Sequence, residues 1–216
     1  MFFYICKFLA WLPLVMLFPT RMKGKKNLPK GKAIISCNHK SNMDIVNYLL
    51  HTPKKIKILA KKEIFKNKLF GAVMKSYGGI PIDRDSNDIN AIKECMKALK
   101  AGKQLFVFPE GTRLKDESKV LGELKSGMAM IAVKTKTPIV PVWVEKKARI
   151  FRRNTYRIGE AFELSDFYGK KLDEETLAQA NEVVKQKMLA LYEEGVSEKE
   201  AKMKKKNKNR KTQKEG

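Results

Sequence analysis

Apolar and polar positions group along the chain into blocks that predict strands and helices in alternation. The run "KAIISCN" (32–38) is short and apolar, as a buried strand is, and "SNMDIVNYLLH" (41–51) has helical spacing. "KIKILA" (55–60) predicts a second strand. "KKEIFKNKLFGAVMKS" (61–76) predicts a helix with a break near Gly71.

The second half of the chain continues this alternation. "GGIPIDR" (78–84) is a short extended segment, and "NDINAIKECMKALKAG" (87–102) is an amphipathic helix that stops at Gly102. The remaining predicted elements are strands at 103–113, 137–145 and 154–162 and helices at 126–135 and 173–194. Strands that alternate with helices predict an α/β fold with a mostly parallel central sheet flanked by helices.

The amino-terminal residues have a different pattern. From Phe2 to Pro19 the segment is almost entirely apolar, and Lys7 carries its only charge. We expect a membrane-anchoring helix, because the segment is apolar on nearly every side and lacks the cleavage site of a signal peptide. A spanning helix and one that lies in the interface both stay open. The basic residues that follow complete a predicted anchor and flank over 1–26.

The charge balance is strongly positive, with 46 Lys and Arg against 23 Asp and Glu and a net charge of +23. Residues 197–216 are rich in lysine and lack apolar periodicity, which predicts a disordered basic tail after a domain at 27–196. The tail is either a solvated end or a second tether to anionic lipid. Such a charge attracts polyanions, namely nucleic acid, anionic lipid and phosphorylated substrates.

Cysteine and histidine are sparse. Three cysteines without close pairing argue against a disulfide framework, and two histidines without a CxxC motif argue against structural zinc. The sequence predicts neither a metal nor a redox cofactor.

The stretch "NHKSNMD" (38–44) contains one of the two histidines, and Asp44 follows His39 by five positions. Ser41 and Asp44 also form a capping box, the ordinary start of a helix, in which the carboxylate serves only the backbone. From this stretch alone, a catalytic pair and a plain helix start both stay open.

The predicted strand before this stretch sharpens the first alternative. If Ser41 caps the helix, His39 lies at the carboxyl end of strand 32–38, where open α/β sheets bind ligands. Asp44 can then face the imidazole, set its tautomer and leave the other ring nitrogen to accept a proton. Because this pair lacks a Ser or Cys nucleophile, an alcohol of the substrate would be the attacking group.

The stretch "FVFPEGTR" (106–113) predicts a strand that ends in a tight turn. Gly111 would point its N–H outward toward an oxyanion or a phosphate, and Arg113 would offer a planar fork to a phosphate. A surface turn with a salt bridge between Glu110 and Arg113 is the alternative.

Two further stretches complete the pattern. "GGIPIDR" places Arg84 just beyond another strand end, where a lone surface arginine is the plain alternative. "IVPVWV" (139–144) is apolar, and Pro141 within it indicates an edge strand or a strand bend.

These four stretches, in this order, resemble the glycerolipid acyltransferase family, and most closely its lysophosphatidic acid acyltransferases. The resemblance covers residues 30 to 145. The His-x4-Asp box of the family matches His39 and Asp44, and its later blocks match "GGIPIDR", "FPEGTR" and "IVPV".

The resemblance implies roles for individual residues. His39 would be the general base that takes the proton of the acceptor hydroxyl, and Asp44 would orient it. The implied substrate-binding residues are Lys61, Arg84, Glu110, Gly111, Thr112, Arg113 and Pro141. Among these, Gly111 would lend a backbone donor to the tetrahedral oxyanion, and Pro141 would lie on the acyl-donor side.

The implied reaction is transfer of an acyl group from acyl-CoA or acyl-carrier protein to the sn-2 hydroxyl of 1-acyl-sn-glycerol 3-phosphate. Its product is phosphatidic acid, and its expected place is the cytoplasmic face of the cell membrane, against anionic lipids. The alternatives are another lysophospholipid or glycerol 3-phosphate as acceptor, and hydrolysis with water in place of the alcohol. A basic nucleic-acid-binding protein is a distant alternative, because no aromatic and basic residues interleave as base-stacking motifs require.

Overall fold

A single seven-stranded sheet with helices on both faces organises the residues that the computed structural model describes, which are 12–52, 56–84, 86, 88–114, 116 and 118–212. The strands are β1 Thr20–Lys23, β2 Ala33–Cys37, β3 Lys57–Lys61, β4 Gly79–Ile82, β5 Gln104–Val107, β6 Ile139–Val144 and β7 Asn154–Ile158. The helices are α1 Met43–His51, α2 Lys68–Ser76, α3 Ile89–Lys100, α4 Ser126–Thr135 and α5 Glu174–Thr212. Short 3-10 helices cover Lys25–Asn27, Lys62–Lys66 and Ser165–Phe167.

The sheet is mostly parallel, as the alternation of strands and helices predicted. Its order is β1-β7-β6-β2-β5-β3-β4, and the five strands from β6 to β4 run in one direction. β7 pairs antiparallel with β6, and β1 pairs parallel with β7. Every residue of β2 is buried, which explains why this strand reads as a continuous apolar run.

Alternate side chains of β2 supply two separate cores. Ile34 packs into the cluster formed with α3, α4 and α5 on one face of the sheet. Ile35 packs into the cluster on the other face, which includes Tyr48 of α1 and Met74 of α2. Successive strand residues point to opposite faces, so each face of the sheet is covered by helices and the whole forms three layers.

The amino-terminal region differs in part from its prediction. Residues 20–23, predicted as part of a basic flank outside the domain, form β1 at the edge of the sheet. Residues 12–17 are helical, and residues 1–11 of the predicted anchor lie outside the described residues. Among the helices of the described residues, none has both the length and the apolar character needed to cross a bilayer.

The segment 61–76 breaks at a different place from the one predicted. A 3-10 helix over Lys62–Lys66 gives way to α2 at Asn67, not at Gly71. Gly71 is instead a point of close approach, because a Cβ there would lie 2.5 Å from the carbonyl oxygen of Phe65. The glycine is therefore explained by packing and not by a helix break.

The carboxyl-terminal helix is longer than predicted. Ala180, Val184 and Met188 bury one face of α5 at helical spacing, as expected. The helix then continues to Thr212, where a disordered tail from 197 was predicted. Lys, Glu, Ala and Met are good helix formers, so a helix that is anchored by packing upstream extends through them.

A buried arginine connects this helix to the sheet. The Arg157 side chain on β7 is 3% exposed and donates to Glu145 at 2.8 Å, Glu194 at 2.9 Å and Glu198 at 3.0 Å. Lys23 of β1 also pairs with Glu198. Hydrogen bonds from Arg157 and then Lys23 lower the pKa of Glu198 from 4.5 to about 2. The first residues of the predicted tail are therefore held by charge against β7 and β1.

We expect Glu198→Gln to lower the free energy of unfolding at neutral pH by about 1 kcal/mol, a value discounted for the solvent that screens this partly exposed carboxylate. Because the folded-state pKa is depressed, this stability is present above pH 4.5 and is lost as pH falls toward 2. Urea unfolding across that range should show the difference between parent and variant shrinking. The neighbouring exposed Glu200→Gln is the control, and an equal effect of both changes would contradict the network.

Candidate active site

Most of the predicted site residues lie along one edge of the sheet, the edge formed by the carboxyl ends of its parallel strands. His39 follows β2 by two residues, Lys61 is the last residue of β3, and Arg84 follows β4 by two. The turn 110–113 follows β5. Because these strands are parallel, their carboxyl ends meet at the same edge. Pro141 is the exception, since it lies within β6.

The His39 imidazole lies beside the Asp44 carboxylate, with Nδ1 3.3 Å from Oδ2. The Asp44 side chain is fully buried and that of His39 is 12% exposed. The distance is long for a hydrogen bond, and contacts of this kind in catalytic sites shorten when a substrate binds. Because Nδ1 faces the carboxylate, Nε2 is the ring nitrogen that remains for a substrate.

Asp44 also starts the helix, so its carboxylate serves the backbone and contacts the imidazole at once. Its Oδ2 accepts from the backbone N–H of Lys40 at 2.7 Å and of Ser41 at 2.6 Å. Its Oδ1 accepts from the Ser41 hydroxyl at 3.1 Å, and that hydroxyl accepts from the Met43 N–H at 3.2 Å. These bonds satisfy backbone donors at the start of the helix and hold the carboxylate toward the imidazole.

The plane of the imidazole is set by an aromatic ring that the sequence analysis did not single out. Phe108 stacks on His39 with ring centroids 3.8 Å apart and planes 18° apart. Phe106 packs edge-on against Phe108 at 5.0 Å. The only sequence signal for this contact is the second phenylalanine of "FVFPEGTR", and the sequence analysis took it as part of the strand.

Glu110 pairs with two backbone N–H groups and not with Arg113. It is buried, and its Oε1 accepts from the backbone N–H of His39 at 2.9 Å. Its Oε2 accepts from the backbone N–H of Gly122 at 3.0 Å. Both carboxylate oxygens are thus occupied by backbone donors. The predicted surface salt bridge between Glu110 and Arg113 is therefore wrong. Glu110 instead holds the loop that contains His39.

Gly111 forms the tight turn as predicted, but its N–H does not point outward. Its φ is 71°, which favours glycine, and its N–H donates to the Phe108 carbonyl at 3.0 Å. The prediction of a free backbone donor at Gly111 is therefore wrong. The Lys125 side chain lies over the glycine, with Cγ 3.3 Å from where a Cβ would stand.

An asparagine joins the carboxyl ends of β2 and β6. Buried Asn38 accepts from the Val144 N–H at 2.6 Å and donates to the Val144 carbonyl at 3.1 Å. The preceding Cys37 is also buried, and burial raises the pKa of its thiol, with Asp44 and Glu110 adding to the shift. A thiol held protonated in this way is a poor nucleophile.

The predicted cationic residues stand to one side of His39. Neighbouring strands lie about 4.8 Å apart, so β3 is about 10 Å and β4 about 14 Å from β2. The Lys61 ammonium is 3.7 Å from Glu63. Arg84, Thr112 and Arg113 are exposed. Desolvation lowers the pKa of Arg84, although the nearby Glu63 opposes this shift. The long side chains of Lys61, Arg84 and Arg113 can reach toward His39. Their roles in substrate binding, and that of Thr112, stay predictions.

Pro141 is buried in the interior of the sheet, so the prediction that it marks an edge strand is wrong. It lies opposite Ser36 of β2, three residues before the end of β6. On its other side the pairing with β7 is interrupted between Ile158 and Phe162, which explains how the strand tolerates a residue without an N–H.

The whole arrangement pairs an imidazole with a buried carboxylate and places cations to one side of this pair. In the described part of the chain, no three His, Cys, Asp or Glu side chains are grouped as the ligands of a metal ion would be. The groups at hand suit proton abstraction from an alcohol and the binding of an anionic substrate.

Residues 19–145 match the model of a protein family described as Acyltransferase. This match covers more than half of the chain and includes every predicted site residue. The chain belongs to this acyltransferase family. The resemblance drawn from the four motifs is therefore confirmed.

Relatives with known names agree with the family. The chain is 34% identical over 143 residues to the chloroplastic 1-acyl-sn-glycerol-3-phosphate acyltransferase of Arabidopsis thaliana. This match covers 64% of this chain and 39% of the relative. The chain thus spans about two fifths of the length of that plant protein. It is 30% identical over 178 residues to the 1-acyl-sn-glycerol-3-phosphate acyltransferase of Bacillus subtilis, covering 79% of this chain and 87% of the relative.

A solved structure shares the fold. The 1-acyl-sn-glycerophosphate acyltransferase PlsC of Thermotoga maritima superimposes with a TM-score of 0.64 at 26% identity. The match covers 88% of this chain and 78% of that one. The acyltransferase-like, mostly parallel α/β fold predicted from the sequence is confirmed.

We expect Glu110→Gln to lower the free energy of unfolding by about 1–3 kcal/mol, because an amide nitrogen would then face one of two buried backbone N–H groups. Urea unfolding measures the change. Glu123→Gln, an exposed glutamate of the same loop, is the matched control and should behave like the parent. A Glu110→Gln protein as stable as the parent would contradict the role of this carboxylate in holding the histidine loop.

Proposed function

We propose that the chain transfers an acyl group from a carrier thioester to the sn-2 hydroxyl of 1-acyl-sn-glycerol 3-phosphate, making phosphatidic acid. The observation that carries this proposal is the His39–Asp44 pair at the carboxyl edge of an acyltransferase fold. The names of the Arabidopsis and Bacillus relatives support lysophosphatidic acid as the acceptor. Both acyl-CoA and acyl-carrier protein fit the proposal as donors.

In the proposed mechanism, Nε2 of His39 removes the proton of the acceptor hydroxyl as its oxygen attacks the thioester carbonyl. Asp44 holds Nδ1 and stabilises the imidazolium that forms. The tetrahedral intermediate then collapses: the new ester C–O bond remains, the C–S bond breaks, and the imidazolium returns its proton to the thiolate sulfur. General base catalysis of this kind contributes about 10²- to 10⁴-fold.

We propose direct attack by the acceptor, without an acyl-enzyme, because neither nucleophilic side chain nearest the His39–Asp44 pair is placed to attack. The Cys37 thiol is buried and held protonated. The Ser41 hydroxyl donates to Asp44 and accepts from Met43, so it faces the carboxylate and not His39. Neither group is placed for attack with His39 as its base, so the substrate alcohol takes that part.

The acceptor phosphate is proposed to bind on the side of β5, β3 and β4. Lys61, Arg84 and Arg113 each follow or end a strand on that side of His39. A guanidinium matches phosphate in a bidentate manner, and an ammonium adds a point charge. A phosphorylated acceptor is therefore favoured over a neutral one.

We also propose that the protein works at the cytoplasmic face of the cell membrane, on anionic lipid. The apolar run from Phe2 to Pro19 and the net charge of +23 support this location. A lysolipid acceptor has its acyl chain in the bilayer, so the enzyme must meet it there.

We expect His39→Ala to lower acyl transfer by at least about 10²-fold, because the base is removed. Transfer is measured with labelled lysophosphatidic acid and with both donor types in parallel. His51→Ala is the matched control, since the Nδ1 of His51 contacts the Asn47 carbonyl within α1 and it should leave transfer unchanged. Full activity of a folded His39→Ala protein would refute the proposal. Donor cleavage that does not need an acceptor would indicate a hydrolase.

We expect Arg84→Gln and Arg113→Gln to raise the KM for lysophosphatidic acid by about tenfold each, because each loses a charged hydrogen bond to phosphate. The KM for the donor should not change. Lys97→Gln, an exposed cation of α3 at the opposite edge of the sheet, is the control. Equal effects with an acceptor that lacks the phosphate would contradict the assignment, and preference for glycerol 3-phosphate or another lysophospholipid would redefine the acceptor.

A further inference from the structure

The connection between β6 and β7 exposes apolar and basic side chains together. We call residues 146–153 the β6–β7 turn; its sequence is "KKARIFRR". At its tip, Ile150 is 57% exposed and Phe151 is 74% exposed. Its five cations, all exposed, are Lys146, Lys147, Arg149, Arg152 and Arg153. Exposed apolar patches that are rimmed by polar residues mark protein or membrane interaction sites.

The β6–β7 turn has a defined conformation that its own hydrogen bonds hold. The Asn154 side chain closes its base, donating to the Lys146 carbonyl at 2.6 Å and accepting from the Lys146 N–H at 3.1 Å. Arg149 and Arg152 form a backbone bridge across it. Phe151 adopts a φ of 56°, a left-handed conformation that is costly for an aromatic residue. The turn thus holds Phe151 outward at a cost in backbone strain, and strain of this kind clusters at functional sites.

The turn is attached to the amino-terminal residues of the chain. The Phe151 N–H donates to the Leu17 carbonyl at 2.7 Å, and the Asn154 N–H donates to the Pro19 carbonyl at 2.9 Å. Within the helical residues 12–17, Leu12 is 58% exposed and Met16 is 65% exposed. Apolar side chains of two separate segments therefore emerge next to each other.

This surface stands at the same edge of the sheet as His39. The turn follows β6 and His39 follows β2, and these strands are parallel neighbours. β1 begins opposite Asn154, so the residues before Thr20 also leave the sheet at this edge. The proposed phosphate-binding side lies across β5, and the turn lies on the opposite side of the histidine, beyond β6.

We infer that the β6–β7 turn docks into the surface of a bilayer that contains anionic phospholipid. Ile150 and Phe151 enter the boundary between headgroups and acyl chains, and the five cations bind lipid phosphates. The turn and its cations border a cleft of about 670 Å³, roomy enough for headgroups. This inference rests on the membrane association proposed above and not on the acyl-transfer chemistry.

The apolar tip favours a bilayer over an acidic protein as the partner. An acidic protein surface would pair with the cations but would leave two large apolar side chains without an apolar phase. A bilayer supplies both, and stable membrane association generally needs two such signals together. Docking at this place would bring the carboxyl edge of the sheet, and His39 with it, against the membrane in which a lysolipid lies.

The first test compares two triple variants of the full chain. Each basic residue near an anionic surface strengthens binding about fivefold, so R149Q/R152Q/R153Q should weaken partition by about a hundredfold. The vesicles contain equal parts of phosphatidylcholine and phosphatidylglycerol, and partition is measured by co-sedimentation. K97Q/K100Q/K103Q removes the same charge from exposed positions at the opposite edge and should change partition by less than about threefold. Equal losses in both variants would overturn the inference.

The second test asks whether the tip enters the lipid. In F151W, tryptophan emission should shift to the blue when these vesicles are added, relative to the parent, and lipids with brominated acyl chains should quench it. Unchanged emission would overturn the inference. So would tight binding of an acidic acyl-carrier protein to the turn, with vesicle partition unaffected by the arginine changes.

Acyl transfer to a water-soluble, short-chain acceptor separates the two proposals. R149Q/R152Q/R153Q should keep the parent rate in that assay and lose rate only with acceptor embedded in vesicles. A parent without any transfer activity would refute the proposed function, while vesicle partition would still decide the role of the turn.

Discussion

A carboxylate taken out of water must be satisfied by hydrogen bonds, and the site depends on how Asp44 meets this constraint. Two backbone N–H groups and the Ser41 hydroxyl supply the bonds, and the His39 imidazole is the fourth neighbour. The loop between β2 and α1 has to fold inward to bring these donors to one carboxylate. The same fold brings the imidazole beside it, so helix initiation and the orientation of the imidazole are a single structural event.

A second buried carboxylate fixes the same loop from its other side. Glu110 accepts the His39 N–H with one oxygen and the Gly122 N–H with the other, so it ties β2 to the connection before α4. Asn38 ties the end of β2 to the end of β6, and Phe108 sets the plane of the ring. The imidazole is therefore held from both neighbouring strands, which is the preorganisation that the proposed general base would require.

Features governed by local sequence were predictable, and features governed by distant contacts were not. The elements from β2 onward and the His39–Asp44 contact follow from periodicity and from a spacing of five residues. Glu110 looked like a surface residue because its backbone partners lie 71 and 12 positions away. β1 was missed because four residues beside an apolar run carry no strand pattern of their own. The tail was predicted disordered because the ion pairs between Arg157 and Glu198 are not visible in its composition.

The charges at the carboxyl edge are arranged in layers that match the proposed reaction. Asp44 beside the imidazole and Glu110 at the His39 backbone are both buried, and both act on the neighbouring thiol of Cys37. In the proposed reaction, Asp44 beside Nδ1 would stabilise the imidazolium that forms as the acceptor loses its proton. The cations are instead exposed, on strand ends at one side and in the β6–β7 turn at the other. The anionic substrate and the anionic lipid proposed above would therefore meet positive charge first, while negative charge lies behind the imidazole.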